Sequence, residues 1–139
     1  MELNLLVQIE EIKKLKARYF RFLDKKLWNE WADLFTEDAT LQYGPKPKET
    51  LKGREQILTQ GRIILGDAKT VHHGHMPEIE LTSDTTATGI WAMFDYVQLP
   101  ARTFKGYGHY EEEYVKEDGR WKIKSLRLTR LHMEVISDT

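Results

Sequence analysis

The sequence contains no cysteine. That excludes disulfides, thiolate metal sites and cysteine nucleophiles, and it fits a reducing compartment. An excess of charge of either sign is also missing: 21 Lys and Arg face 22 Asp and Glu. Such a balance provides no electrostatic footprint for nucleic acid or an anionic membrane. No apolar run approaches membrane-spanning length. The opening Met-Glu-Leu-Asn-Leu-Leu has an early acid and no basic stretch, unlike a secretory leader. The expectation is a cytoplasmic protein. No linker, internal repeat or low-complexity tract divides the chain, so residues 1–139 are expected to form a single domain. With 40% hydrophobic and 31% charged residues, its composition is that of an ordinary globular protein.

The first segment has helical spacing. Leu5, Leu6, Ile9, Ile12, Leu15, Tyr19, Phe20 and Leu23 recur at steps of three and four, with Glu, Lys and Arg between them. The stripe stops near Asp24. A short second helix carries Trp28, Trp31, Leu34 and Phe35, and ends at Thr36-Glu37-Asp38. Thr40 to Tyr43 alternates like a strand, and Gly44-Pro45-Lys46-Pro47 breaks it. Gly53 to Leu65 reads as a third helix, somewhat weakened by Gly61.

The second half reads as four long strands: 71–82, kinked near Gly74 and Pro77, then 85–99, 103–116 and 120–135. Asp118-Gly119 is a strong hairpin signal. Helices followed by adjacent strands predict an α+β fold with a meander sheet. In Gly89 to Val97 both strand faces are largely apolar, which predicts that both are covered, one by helices and one by a partner subunit. His72, His73, His75, Asp95, His109 and Arg130 also fall in these strands. An apolar lining with a few polar groups is the usual design of a small-molecule pocket.

Several stretches resemble a known family. They are residues 12–31, Leu34 to Ala39, His72-His73-Gly74-His75-Met76-Pro77-Glu78-Ile79, Thr85 to Gly89, and Gly108-His109-Tyr110 through Ile123. Together they resemble the SnoaL-like, scytalone dehydratase-like branch of the nuclear transport factor 2 superfamily. That branch includes bile-acid 7α-dehydratase, to which the likeness is greatest, and hexachlorocyclohexane dehydrochlorinase. The resemblance implies a cystatin-like conical barrel, with about three N-terminal helices on a strongly curved, mainly antiparallel sheet. It implies catalytic roles for Tyr19, Asp24, His72 and Arg130, and pocket contacts from Tyr43 and His109. Trp91 and Met93 are further candidate substrate contacts. It also implies a cofactor-free, metal-free lyase for a hydrophobic small molecule, in a homo-oligomer with a trimer favoured over a dimer. A ketosteroid-isomerase-like isomerase, a polyketide cyclase, a dehydrochlorinase or a non-catalytic binding module are the alternatives.

These residue types suit elimination next to a carbonyl. Histidine can take the C–H proton near neutral pH. An aspartate on its other ring nitrogen fixes the tautomer, and arginine and tyrosine can meet charge developing on oxygen. Other readings stand beside these. Asp24 also reads as a helix end, Tyr19 as core, and Arg130 as the partner of Glu112 or Asp95. The three nearby histidines invite a zinc reading, but His73 and His75 share one strand face while His72 points the other way. Tyr19 and Asp24 stand about 140° apart around an ideal helix, so periodicity pairs them only if the helix end unwinds.

Overall fold

In the computed structural model, which describes residues 2–138, the chain begins with one long helix. This is α1 (Glu2–Asp24), and it buries Ile12, Leu15, Tyr19 and Leu23 along one stripe. It does not unwind before Asp24. Lys26 adopts a left-handed φ of 61°. The Lys26 N–H donates to the Leu23 carbonyl at 3.1 Å, and the Leu27 N–H to the Phe22 carbonyl at 2.8 Å. These two bonds form a Schellman closure. Glycine usually holds its left-handed position; a lysine there left no sign of it in the sequence.

α2 (Trp28–Ala32) is a single turn and a half. The expected continuation of this helix to Asp38 is instead strand: β1 spans Phe35–Gln42 and buries Phe35, Ala39 and Leu41. β2 (Thr50–Lys52) has only three residues, too short for any periodicity to reveal, and it pairs antiparallel with β1. α3 (Arg54–Leu65) follows Gly53 directly.

Four long strands complete the sheet: β3 (Lys69–Leu81), β4 (Thr86–Gln98), β5 (Arg102–Glu117) and β6 (Arg120–Asp138). They form the expected antiparallel meander, while β1 joins β6 in parallel, giving the order β2-β1-β6-β5-β4-β3. The sheet is therefore mixed and open, with β2 and β3 as its edges, and the helices cover its inner face. The kink expected in β3 is a bulge: pairing to β4 skips between His75 and Glu78, and Met76 sits at φ 46°. Asp118 at φ 50° and Gly119 at φ 78° make the β5–β6 turn, where two left-handed residues suit the strand twist.

Alternation then sorts the side chains. Trp91, Met93, Asp95 and Val97 of β4 point inward and are buried. On the outer face His73 packs against His75 and Phe94, and Phe94 against Tyr107. Val71 and Ile90 lie exposed on that face in the single chain. Among the described residues no helix is long and apolar enough to cross a membrane.

Candidate active site

A cavity of about 360 Å³ opens between α1, α3 and the inner face of the sheet. Leu23, Leu41, Ile64, Val97, Leu126 and Leu128 supply much of its apolar wall. Its polar groups are few, and all four catalytic candidates bear on it.

His72 lies in the wall and is 7% exposed. Its Nδ1 stands 2.7 Å from Asp24 Oδ1, and its backbone N–H donates to Asp24 Oδ2 at 2.9 Å. The Thr70 hydroxyl donates to Asp24 Oδ1 at 2.9 Å and accepts from Lys26 Nζ at 2.9 Å. A carboxylate can only accept, so this arrangement places the histidine proton on Nδ1 and leaves the Nε2 lone pair free. Asp24 itself is not part of the cavity wall and is joined to it through its bonds to His72. This resolves the 140° objection without unwinding the helix. The closure at Lys26 brings β3 across the end of α1, so Asp24 meets the strand while Tyr19, one turn earlier, faces the cavity.

Arg130 forms a fork with Asp95, Nη1 to Oδ1 at 2.9 Å and Nη2 to Oδ2 at 2.8 Å. Of the two acidic partners weighed for Arg130, the structure selects Asp95; Glu112 is engaged elsewhere. The register explains how the pair reaches across the sheet. His72 pairs with Asp95, Asp95 with Gly106, and Arg130 with Gly108 two residues along. The bridge spans β5 directly over Gly106. A Cβ there would stand 1.7 Å from Arg130 Nη1 and 2.2 Å from Asp95 Oδ1, so only glycine leaves the space.

Tyr19 and Tyr110 stand in the same wall, which also carries Glu49 and Arg102. Neither hydroxyl has a hydrogen-bond partner among the described residues, and neither is sealed from the cavity. Burial raises both phenols well above the usual tyrosine range, and the neighbouring carboxylates Glu112 and Asp95 add to it. Both therefore stay protonated and can donate. Tyr43 also lines the cavity.

The remaining candidates fall elsewhere. Alternation along β5 turns Tyr110, not His109, toward the cavity, and leaves His109 on the outer face. Trp91 and Met93 point inward but pack in the core, outside the cavity wall; the Trp91 Nε1 donates to the Tyr114 hydroxyl at 2.9 Å. Tyr110, Glu49 and Arg102 are polar wall residues that sequence reasoning did not name, and Asp95 was named only as a partner of Arg130. The signal was available, because strand parity puts Asp95 with Met93 and Val97, and Tyr110 with Gly106 and Gly108.

An open cone of helices on a curved sheet, with an apolar cavity carrying a few polar groups, defines the α+β cone fold of the nuclear transport factor 2 superfamily. Residues 5–127 match the model of the SnoaL-like domain, and the chain belongs to that family. Its structure superposes on a candidate scytalone dehydratase from Novosphingobium aromaticivorans with a TM-score of 0.88 at 26% identity, covering 100% of this chain and 92% of that one. A type 2 hexachlorocyclohexane dehydrochlorinase gives 0.87 at 22% identity, with 99% and 94% covered. A type 3 form of that enzyme from Novosphingobium barchaimii gives 0.85 at 20%, with 99% and 95% covered. At the latter two identities the likeness is one of fold. The family and its neighbours support a cofactor-free fold for small-molecule chemistry or binding.

Proposed function

We propose that this chain is a cofactor-free lyase of the dehydratase type, acting on a hydrophobic carbonyl-bearing or polycyclic small molecule as one 1–139 domain. The observation that carries the reading is the Asp24–His72 bond, with His72 set in the cavity wall. His72 Nε2 takes the proton from the carbon next to the substrate carbonyl. The C–H electron pair forms the new double bond as the C–O bond breaks, and the departing hydroxide takes that same proton back from the His72 imidazolium, leaving as water and restoring the neutral base. Asp24 holds the imidazole in the accepting tautomer and stabilises the imidazolium. Tyr19 donates to the carbonyl oxygen, and Arg130 faces the developing negative charge with the N–H groups that Asp95 leaves free. Tyr43 contacts the substrate at the wall.

The test is a panel of β-hydroxy ketones, hydroxysteroid-type compounds and chlorinated compounds, followed by absorbance of the conjugated product. His72→Ala is expected to lower turnover by about 10²–10⁴-fold, with the thermal melt little changed. Turnover undiminished by His72→Ala overturns His72 as the base. Saturable binding without turnover of any compound would favour a non-catalytic binding module. Self-association, trimer before dimer, belongs to the same proposal and is supported by the exposed Val71 and Ile90 on the outer sheet face. Sedimentation velocity showing only monomer at every concentration would remove it.

A further inference from the structure

Beneath the cavity floor lies a charged group that the proposed reaction does not use. Lys16 is 0% exposed, and its ammonium donates to Glu112 Oε2, itself in a side chain with no exposure. The other oxygen of Glu112 accepts from the Tyr114 hydroxyl at 2.5 Å, which in turn accepts from Trp91 Nε1 at 2.9 Å. The carboxylate is thus held on both oxygens. The ammonium sits 3.8 Å from the ring centroid of Tyr19 and 3.7 Å from that of Tyr110, well inside cation–π reach, with Phe20 at 4.9 Å. Helical and strand spacing make this assembly. Lys16 and Tyr19 are three apart on α1, and Tyr110, Glu112 and Tyr114 alternate on one face of β5.

Packing alone does not account for charge at this position, since a pair of apolar side chains of similar volume is commonly as stable. What distinguishes Lys16 is the pair of rings it touches. They are the two phenols whose unpartnered hydroxyls face the cavity. A cation against the face of a phenol ring draws electron density away from its oxygen and makes the O–H a stronger donor. It also pins the ring against rotation about its own axis. We propose that Lys16, held by Glu112, is a positioning residue that orients Tyr19 and Tyr110 and strengthens their hydroxyls as paired donors to a substrate oxygen. This rests on the cavity being an oxyanion-binding site, as in the reading above. The substrate class it favours carries a carbonyl or phenolic oxygen that both hydroxyls can reach, presented from an otherwise apolar body. The other charged groups facing the two phenols are Asp24, Asp95, Glu112 and Arg130, and none of them lies against both rings as Lys16 does.

The discriminating variant is K16M/E112Q, which removes both charges together and keeps the amide oxygen for Tyr114. Wild type and variant are titrated with a shape-matched pair of probes, 2-naphthol and naphthalene. The variant is expected to keep its affinity for naphthalene and lose about tenfold for 2-naphthol. Adding Tyr19→Phe should then cost naphthol binding in the wild type but little in the K16M/E112Q background. Where wild type binds 2-naphthol more tightly than naphthalene, equal loss of both probes in the variant, or no loss of either, overturns the proposal. Spectra of the ligand-free protein labelled at tyrosine Cζ separate this outcome from failure of the functional reading. If wild type does not distinguish the two probes, the oxyanion site fails. The hold of Lys16 on the rings is still supported if the Tyr19 and Tyr110 signals shift together in the variant while Tyr43 and Tyr96 do not. It is overturned if they stay in place. Where K16M/E112Q does not fold, K16R, which retains the charge, is compared in the same way and is expected to retain naphthol selectivity; its loss there counts against the proposal.

Discussion

Arg130–Asp95 and Lys16–Glu112 are both cation–carboxylate pairs on the inner face of one sheet, yet they sit in opposite settings. The first opens on the cavity, with 22% of the Arg130 side chain exposed. The second is closed off completely, with both side chains at 0%. Arg130 presents spare N–H groups to whatever enters the cavity. Lys16 presents none, and reaches the cavity only through the rings it touches. One pair can meet a substrate and the other can only shape the groups that do. The cost of burial differs in the same sense, because a charge without access to water depends wholly on its partner.

The largest effect is therefore expected from breaking the sealed pair on one side. Glu112→Leu leaves the Lys16 ammonium buried without a carboxylate and should destabilise the fold by about 3–5 kcal/mol, read by chemical denaturation. K16M/E112Q should recover most of that loss. If Glu112→Leu proves near neutral, the pair is not acting as a buried charge at all.

A comparable effect is expected from alkali. Tyr19, Tyr110 and Tyr114 all titrate well above the ordinary tyrosine value of 10.0, chiefly through burial and with Glu112 adding to it. Their folded-state values lie above the unfolded ones, so the stability tied to their protons is fully present below pH 10 and is lost as pH rises beyond it. Three such groups give a slope of up to about 4 kcal/mol per pH unit above 10. Lys16 works the other way. Burial, opposed by its bonds to Glu112, lowers it from 10.5 to about 8, so its burial penalty is relieved as pH rises from 8 toward 10.5. Denaturation midpoints across pH 7–12 should therefore rise from about pH 8 to 10, then fall steeply. K16M/E112Q should lack the rise. A wild-type curve that falls smoothly from pH 8 contradicts the depressed lysine.

The cavity-facing pair should be less sensitive. Asp95→Asn leaves Arg130 with part of its access to water, so a loss of about 1–3 kcal/mol is expected. Gly106→Ala should reproduce much of that loss, because its methyl group would occupy the space of the bridge itself. Denaturation of both single variants and of the double variant checks this. Full additivity would show that Gly106 does not act through the ion pair.

The two pairs were not equally legible in the sequence. Asp95 was weighed, beside Glu112, as a partner of Arg130. Lys16 was absorbed into the polar background of an amphipathic helix, although it lies one turn from both Ile12 and Tyr19. Glu112 was named only as a partner for Arg130: Glu111 and Glu113 point outward, and parity with Tyr110 and Tyr114 is what turns the middle acid inward, toward Lys16. The helical and strand periods gave the order of the long elements correctly. The start of β1 was missed because Phe35 suits a helix face as well as a strand. Asp24 was found by family likeness alone, since its approach to His72 depends on a lysine taking a left-handed turn that no residue type announces.

The smallest effect should come from the same chemistry placed on the surface. Arg120 Nη2 lies 3.0 Å from Asp33 Oδ2 and Lys122 Nζ 3.3 Å from Asp33 Oδ1, with the Asp33 side chain 58% exposed. Asp33 titrates below its usual value: the slight burial would raise it, but the bonds to Arg120 and Lys122 outweigh that. Its contribution is thus present near neutrality and lost as pH falls below about 4. Water and salt compete for these charges, and two long side chains must be held in place to meet one carboxylate. Asp33→Asn is expected to cost less than about 1 kcal/mol at low ionic strength, and close to nothing in 1 M salt, where the screening length falls to about 3 Å. The Lys16–Glu112 pair, out of reach of mobile ions, should show no such salt dependence. Denaturation of Asp33→Asn and Glu112→Leu at 0.05 M and 1 M salt compares them directly. If salt weakens both pairs alike, water and ions reach the site beneath the cavity floor, and the contrast between a sealed and an open pair fails.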